Sequence, residues 1–513
     1  TGYKMAMLQG VRNIFTFCSR SATSSFKYVG RAFSAEPPLT SEQYPDLKRG
    51  PYSEVTNADL TKFSSILDPH RVVQDPDEIA PHNMDWLKTL RGTSKVLLKP
   101  KTTQEVSEIL AYCNSRRIAV VPQSGNTGLV GGSMPIFDEV ILSLGLMNRV
   151  ISMDKISGIM ICQAGCVLEK LDQFLSESGF TMPLDLGAKG SCMIGGNIAT
   201  NAGGIRLLRY GSLHGTVLGL EVVLPNGQII DTLSTCRKDN TGYHLKHMFI
   251  GSEGTLGVIT AASVMVPYLP RSVNVALLGC QSYEDLQLIF KAAKSMLGEI
   301  LSAFEMMDYK SVKASEMTGL QNPIQKNNFY VLIETSGSDA AHDEEKLTKF
   351  MDWLMEENLV QDGTIGTDKQ KMANIWAIRE NITVGLVEIG YVYKYDVSIP
   401  VTRLYEIVED LQEKIGDKVL TVVGYGHIGD GNLHLNIVTK EFDPKVLKLL
   451  EPYIFEWVKD CGGSISAEHG VGFKKTKYLH YSKSTECIQI MKNLKQTFDP
   501  NGILNPYKVI PNE

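Results

Sequence analysis

The sequence predicts an α+β protein made of two consecutive α+β domains, and three observations carry this. Its 513 residues exceed what one compact core usually holds. From about residue 93 to 270, helical and extended patterns alternate, with glycine crowded at the turns. Past Pro270 the glycines thin out, and apolar strand-like runs and a helical stripe replace them.

The first 35 residues carry Lys4, Arg12, Arg20, Lys27 and Arg31 and no acid before Glu36. That composition is expected of a mitochondrial transit peptide, the alternative being a tail with no address. Residues 36–92 are proline-rich and polar, and read as an extended N-terminal arm ending in a short helix around Trp86. In "KTTQEVSEILAYCNSRRIAVVPQSG", Val106, Ile109, Leu110 and Cys113 recur at helical spacing behind Thr103 as N-cap, with a strand at 118–121. The first domain so begun runs over 93–270. In the second, 271–475, "NVALLGC", "FYVLIETSG" and "YVYKYDVSIP" read as strands, and Leu404, Ile407, Val408, Leu411 and Ile415 form one helical stripe. A C-terminal segment, 476–513, holds an Asp-Pro-Asn-Gly turn and little further core.

The totals narrow the function. With a net charge of −6 and no basic block, nucleic acid is a poor candidate partner. No apolar run approaches the roughly 18 residues of a spanning helix. Nine cysteines, scattered, odd in number and without a Cys-x-x-Cys, point to reduced thiols rather than disulfides or a thiolate zinc site. Cys162 and Cys166 read as small buried apolar residues.

Three glycine-rich runs stand within the first domain: "VPQSGNTGLVGGSMP", "PLDLGAKGSCMIGGNIATNAGG" and "GSEGTLGVIT". Glycine lets backbone N–H groups approach a phosphate closely, so three such loops point to one extended phosphate-bearing ligand. None is the Gly-x-Gly-x-x-Gly of nicotinamide-binding folds, and no Gly-Lys-Ser/Thr P-loop is present.

"GYGHIGDGNLHLN" holds two of the ten histidines. Asp430-Gly431 is a two-residue hairpin signal, and a turn there pairs His427 with His434 across the strands, as two ligands of one metal would need. A glycine-rich loop with two solvated histidines is the plainer alternative. A third donor could come from "SISAEHGVG", where Glu468 and His469 are adjacent, so that on extended backbone only one would ligate. Arg379 and Thr383, four apart, share a helix face, and Lys394 follows on a strand. On the residues alone, Arg379 and Lys394 could equally belong to surface ion pairs. Asn436, two beyond His434, lies on the same strand face.

The order of these glycine runs and of "YGSLHGTVLGLEVVLPNG", followed by "GYGHIGDGNLHLN", "SAEHGVG" and "NPYK", resembles the FAD-linked oxidases and dehydrogenases of the vanillyl-alcohol-oxidase type from about residue 45 to the C-terminus. The resemblance implies a two-subdomain FAD-binding domain, a cap domain over the substrate, and a C-terminal segment returning to the FAD domain. It implies FAD held by Gly125, Asn126, Thr127, Gly128, Gly131, Gly132, Gly195, Gly196, Asn197, Gly203, Glu253, Gly254, Gly257 and Asn505. Relatives with covalent flavin use a histidine after Gly-Gly in the first loop, whereas this chain has "SGNTG", so non-covalent FAD is expected. The resemblance further implies zinc on His427, His434 and Glu468, with His469 free as general base. It makes Arg379, Thr383, Lys394, Asn436 and His469 the substrate-binding residues, with carboxylate groups held by Arg379, Thr383 and Lys394; two cations and a hydroxyl exceed what a monocarboxylate needs and suit a dicarboxylic acid. The activity implied is oxidation of D-2-hydroxyglutarate to 2-oxoglutarate in the mitochondrial matrix, with electron-transfer flavoprotein as acceptor. D-lactate is the alternative substrate within the family. The residues alone leave open a zinc hydrolase with structural glycine loops, or a flavin-binding module without catalysis.

Overall fold

The computed structural model describes residues 37–366 and 368–511, and the basic leader read at 1–35 lies outside them. Four short strands open the fold: β1 (Val72–Val73), β2 (Leu97–Leu98), β3 (Val120–Gln123) and β4 (Val140–Ser143), in the order β1-β2-β4-β3. Strands β2, β4 and β3 run parallel and β1 joins antiparallel. Helix Thr103–Arg116 packs on them through Val106, Ile109, Leu110 and Cys113, all fully buried. Its N-cap is Thr102 rather than Thr103, because Thr102 and Glu105 form a reciprocal capping box. The strand read at 118–121 begins two residues late. Arg117, at φ +56, and Ile118, whose N–H returns to the Cys113 carbonyl, are spent on ending the helix.

The stretch 36–92 is not an extended arm. Helix Asn57–Ile66 buries Phe63 in the core of the first domain, and the Asp59 carboxylate accepts from Thr56, Tyr112 and Arg116. Trp86 sits in a turn, not a helix. The Asp85 carboxylate bonds the backbone N–H groups of Thr89 and Leu90 and competes with helical bonding there.

Five more strands, β5 (Val150–Asp154), β6 (Ile159–Gln163), β7 (Val217–Val223), β8 (Ile229–Asp231) and β9 (Val258–Met265), form an antiparallel sheet in the order β5-β6-β9-β7-β8. It shares one continuous hydrophobic core with the first sheet. The third sheet has seven antiparallel strands: β10 (Ser272–Cys280), β11 (Leu301–Asp308), β12 (Phe329–Gly337), β13 (Asp362–Ile365), β14 (Tyr391–Ser398), β15 (Thr421–Gly426) and β16 (Asn432–Thr439), ordered β13-β10-β12-β11-β15-β16-β14. The three strands read from sequence are β10, β12 and β14. One face packs on helices that include Glu406–Ile415, whose stripe is buried as read. The other packs on Ile375, Ile378, Ile382 and Leu386.

After helix Thr485–Phe498 the chain runs back along β3: Val120 N–H donates to Ile503 and Asn505 N–H to Val120. Among the described residues no helix is long and apolar enough to cross a membrane, and all eight cysteines are free thiols.

Candidate active site

Side chains alternate faces along a strand, so the third sheet dictates which of its residues meet. Glu305 on β11, Tyr425 on β15, His434 and Asn436 on β16, and Lys394 and Asp396 on β14 all share the face covered by the helices around Ile378 and Ile382. Those helices supply Arg379 and Thr383. They were read as one helix and are two, Lys369–Glu380 and Ile382–Ile389, broken at Asn381, whose amide donates back to the Ala377 carbonyl. Arg379 and Thr383 nevertheless converge on Tyr425: the guanidinium lies 4.8 Å from the ring centre and the Thr383 hydroxyl 2.7 Å from the phenol oxygen.

The hairpin register differs from the one read. His434 pairs with Tyr425, and His427 lies just past the end of β15. Asp430-Gly431 is not a two-residue tip. Residues Ile428–Asp430 form a 3₁₀ turn ended by Gly431 at φ +78, and Asn432 N–H bonds the His427 carbonyl. A slip of two residues keeps every side chain on its face, so the imidazoles still meet, with their Nε2 atoms 3.4 Å apart.

Glu468 joins them, its Oε1 lying 3.7 Å from His427 Nε2. The donor atoms of His427, His434 and Glu468 all fall within 4.8 Å of one another. Tetrahedral zinc with ligands at about 2.0–2.2 Å spaces its donors roughly 3.3–3.6 Å apart, so this donor set fits such an ion. The electrostatics separate the two imidazoles. Burial works against a charged His427, but Glu305 and Glu468 outweigh it and raise its pKa to about 9. Burial, with His427 and Arg379 nearby, pushes His434 well below its ordinary value. Burial would raise Glu305, yet His427 and Arg379 hold it at about 2.

Asp396 organises the other side. Its carboxylate accepts from Asn432 Nδ2 at 2.7 Å and from the backbone N–H groups of Glu468 and His469 at 2.9 and 3.1 Å. It also lies 3.5 Å from His469 Nδ1 and 3.7 Å from His434 Nδ1. A carboxylate facing Nδ1 favours the proton there and leaves Nε2 of His469 as the acceptor. Asp396, Glu468 and His469 also cluster closely, but three donors already occupy the Asp396 oxygens.

Arg379 is buried and ion-paired through Nε to Glu305 at 2.8 Å. Lys394 is exposed and has no acidic partner among the described residues. Asn436, opposite Lys394, is buried one same-face step from His434.

The glycine loops interlock. A Cβ on Gly125 would lie 2.2 Å from the Ser191 carbonyl oxygen, one on Gly195 2.5 Å from Ala164 Cβ, and one on Gly254 2.8 Å from Pro122. Those on Gly131, Gly257, Gly132, Gly196 and Gly203 meet Leu90, Val222, Glu253, Ser124 and Glu468 respectively. Close approach of chain segments therefore explains most of these glycines, while Gly128 faces open space beside the half-buried Thr127. Three side chains read as cofactor contacts are spent on the protein. Asn126 donates to the Met84 carbonyl and accepts from Ser133. Glu253 accepts from Val471 and Gly472 N–H, and Asn505 donates to the Gly132 and Glu253 carbonyls. By contrast Oδ1 of Asn197 and of Asn201, in the second loop, are buried without a partner. Two orphaned acceptors in one glycine-rich loop fit a polar ligand such as FAD there, because leaving them unmade costs about 1–3 kcal/mol each.

Sequence reading missed Glu305, Asp396 and Tyr425. Two signals were available: Asp396 stands two beyond Lys394 on a strand, hence on its face, and Glu305 is an acid inside the apolar run "LSAFEMMD".

Comparison with known proteins agrees with this layout. Residues 94–233 match the FAD binding domain model and residues 269–509 the C-terminal domain model of FAD linked oxidases. The mitochondrial D-2-hydroxyglutarate dehydrogenase of Bos taurus is 56% identical over 477 residues, 93% of this chain and 87% of its own length. A D-2-hydroxyglutarate–pyruvate transhydrogenase of Saccharomyces cerevisiae is 47% identical over 487 residues, covering 92% of this chain and 98% of its own. Among solved structures, p-cresol methylhydroxylase with substrate bound shares the fold at a TM-score of 0.72 and 16% identity, over 90% of this chain and 99% of that one. The chain belongs to the FAD-linked oxidase and dehydrogenase family that includes the mitochondrial D-2-hydroxyglutarate dehydrogenases.

Proposed function

We propose that this chain oxidises D-2-hydroxyglutarate to 2-oxoglutarate with non-covalent FAD, using zinc on His427, His434 and Glu468 and His469 as general base. The observation that carries the reading is the meeting, on one sheet face, of that donor triad with Arg379 and the unpaired Lys394. The two relatives of 56% and 47% identity are both named for D-2-hydroxyglutarate, and only the Saccharomyces cerevisiae one names a second substrate, pyruvate. We assign electron-transfer flavoprotein as acceptor and the mitochondrial matrix as compartment, with the leader at 1–35 as transit peptide.

When bound, the flavin supplies a two-electron acceptor for the C2 hydrogen and the metal a Lewis acid that eases ionisation of the 2-hydroxyl. The rest falls to the chain. His469, with Asp396 beside Nδ1, takes the hydroxyl proton at Nε2. Arg379, fixed at Nε by Glu305 and stacked on Tyr425, offers its terminal N–H groups to one carboxylate. Lys394, Thr383 and Asn436 complete the hold on the two acid groups. Tyr425 and Asp396, both buried, flank the triad on this sheet face.

Anaerobic titration with D- and L-2-hydroxyglutarate, D-lactate and D-malate tests the reading. The yellow flavin band should bleach fully with D-2-hydroxyglutarate at the lowest concentration, and stay with the L-isomer. A purified protein that is colourless, or one bleached best by D-lactate, rejects it.

A further inference from the structure

Glu305 is 1% exposed, and its two oxygens are divided between two different tasks. Oε1 lies 2.7 Å from His427 Nδ1, and Oε2 accepts from Arg379 Nε at 2.8 Å. The sheet register dictates the first contact: Met306 pairs with Gly426, so the next residue pair along is Glu305 and His427. The last turn of helix Lys369–Glu380, packed on the sheet, supplies the second through Arg379.

We infer that Glu305 is a positioning residue that serves the metal ligand His427 and the carboxylate-binding Arg379 at once, tying the two halves of the site together. The inference rests on the function proposed above. At His427 the carboxylate accepts a hydrogen bond from Nδ1–H and leaves the Nε2 lone pair facing His434 Nε2, 3.4 Å away, and Glu468 Oε1, 3.7 Å away. At Arg379 it occupies the Nε edge, and the guanidinium lies 4.8 Å from the Tyr425 ring centre, so the two terminal nitrogens are not spent on Glu305. Glu305 is the one ion-pair partner of Arg379 among the described residues.

Glu305→Gln separates the two tasks. An amide has one acceptor oxygen, and Arg379 can only donate, so that oxygen turns to Arg379 and the NH₂ group to His427. Accepting from the amide moves the imidazole proton to Nε2 and removes the lone pair a metal needs. The flavin-loaded variant should bind zinc about 10–100-fold more weakly in competition with a chromophoric chelator. Excess zinc should then restore kcat on D-2-hydroxyglutarate with little change in KM, a rescue that a merely structural residue would not show. Unchanged zinc affinity, or lost activity that zinc does not restore, overturns the inference while leaving the metal site itself intact. A wild-type protein that binds no zinc in the same assay rejects the metal reading, and the inference with it. Should Glu305→Gln fail to retain flavin, Glu305→Asp is measured in its place. It keeps the charge but is one methylene too short to reach both partners, so weaker zinc binding supports the inference and wild-type zinc binding overturns it.

Discussion

The backbone N–H of Gly204 donates a 2.7 Å hydrogen bond to Oε1 of Glu468. Gly204 closes the second glycine loop of the first domain at φ +87, and Glu468 belongs to the proposed metal triad beside the third sheet. One hydrogen bond therefore connects the glycine loops of the first domain to the carboxylate proposed as a metal ligand. Glu253 repeats the connection from the third loop by holding Val471 and Gly472, just past His469.

Gly203→Ala tests that connection. Its Cβ would lie 3.1 Å from Glu468 Oε1, so the carboxylate must give way by a few tenths of an ångström. Zinc content after dialysis should fall, with affinity lower by about tenfold, as for other disturbances of metal-ligand support. Flavin content, measured on the same sample, separates a displaced Glu468 from a loop that has lost its hold on FAD.

Arg379→Ala separates substrates. Loss of a charged hydrogen-bond donor to a carboxylate costs about 1.5–3 kcal/mol, so kcat/KM on D-2-hydroxyglutarate should drop by roughly 10–200-fold. Leaving Glu305 without its partner affects every substrate alike, whereas only the diacid also loses a contact to its second carboxylate, so D-lactate should lose far less. Equal losses on both would place Arg379 away from the distal carboxylate.

Asp59 gives a pH dependence of stability. Burial would raise its pKa, but bonds from Arg116, Thr56 and Tyr112 outweigh that and hold it well below its ordinary value. A carboxyl lowered by folding contributes stability above its unfolded pKa and loses it as pH falls through the folded one. Asp59→Asn should therefore cost about 1–3 kcal/mol in urea unfolding at pH 7. The difference should shrink as pH drops below about 4.

Asn505→Ala distinguishes a structural tie from a cofactor contact. The buried amide joins the carbonyls of Gly132 and Glu253, one from each of two glycine loops, and Lys508 holds its Oδ1. Removing it should lower the melting temperature of the flavin-free protein as well as flavin retention. Weaker flavin binding with unchanged flavin-free stability would mean that the side chain touches FAD directly.

Periodicity made much of this legible. The helix bearing Val106 to Cys113, the stripe ending at Ile415 and strands β10, β12 and β14 were readable because burial on one face imprints a repeat on the sequence. The histidine pair was readable because face parity survives a two-residue register slip, although the turn type did not follow from Asp-Gly alone. What was not legible depended on contacts between segments far apart. Glu305 meets His427 across 122 positions and Gly204 meets Glu468 across 264, and no local pattern records either. The glycine runs were visible, but the sequence does not tell a glycine that faces a phosphate from one that lets Gly125 pack on Ser191. Likewise the polarity of residues 36–92 concealed the helix around Phe63 that completes the first core.

The most direct measurement compares zinc-loaded and chelator-stripped flavoprotein, mixed anaerobically with D-2-hydroxyglutarate in a stopped-flow spectrometer. The loaded protein should lose its yellow band within a turnover, and the stripped protein should keep flavin and colour until zinc is returned. Equal bleaching of the metal-free protein would contradict the role given to His427, His434 and Glu468.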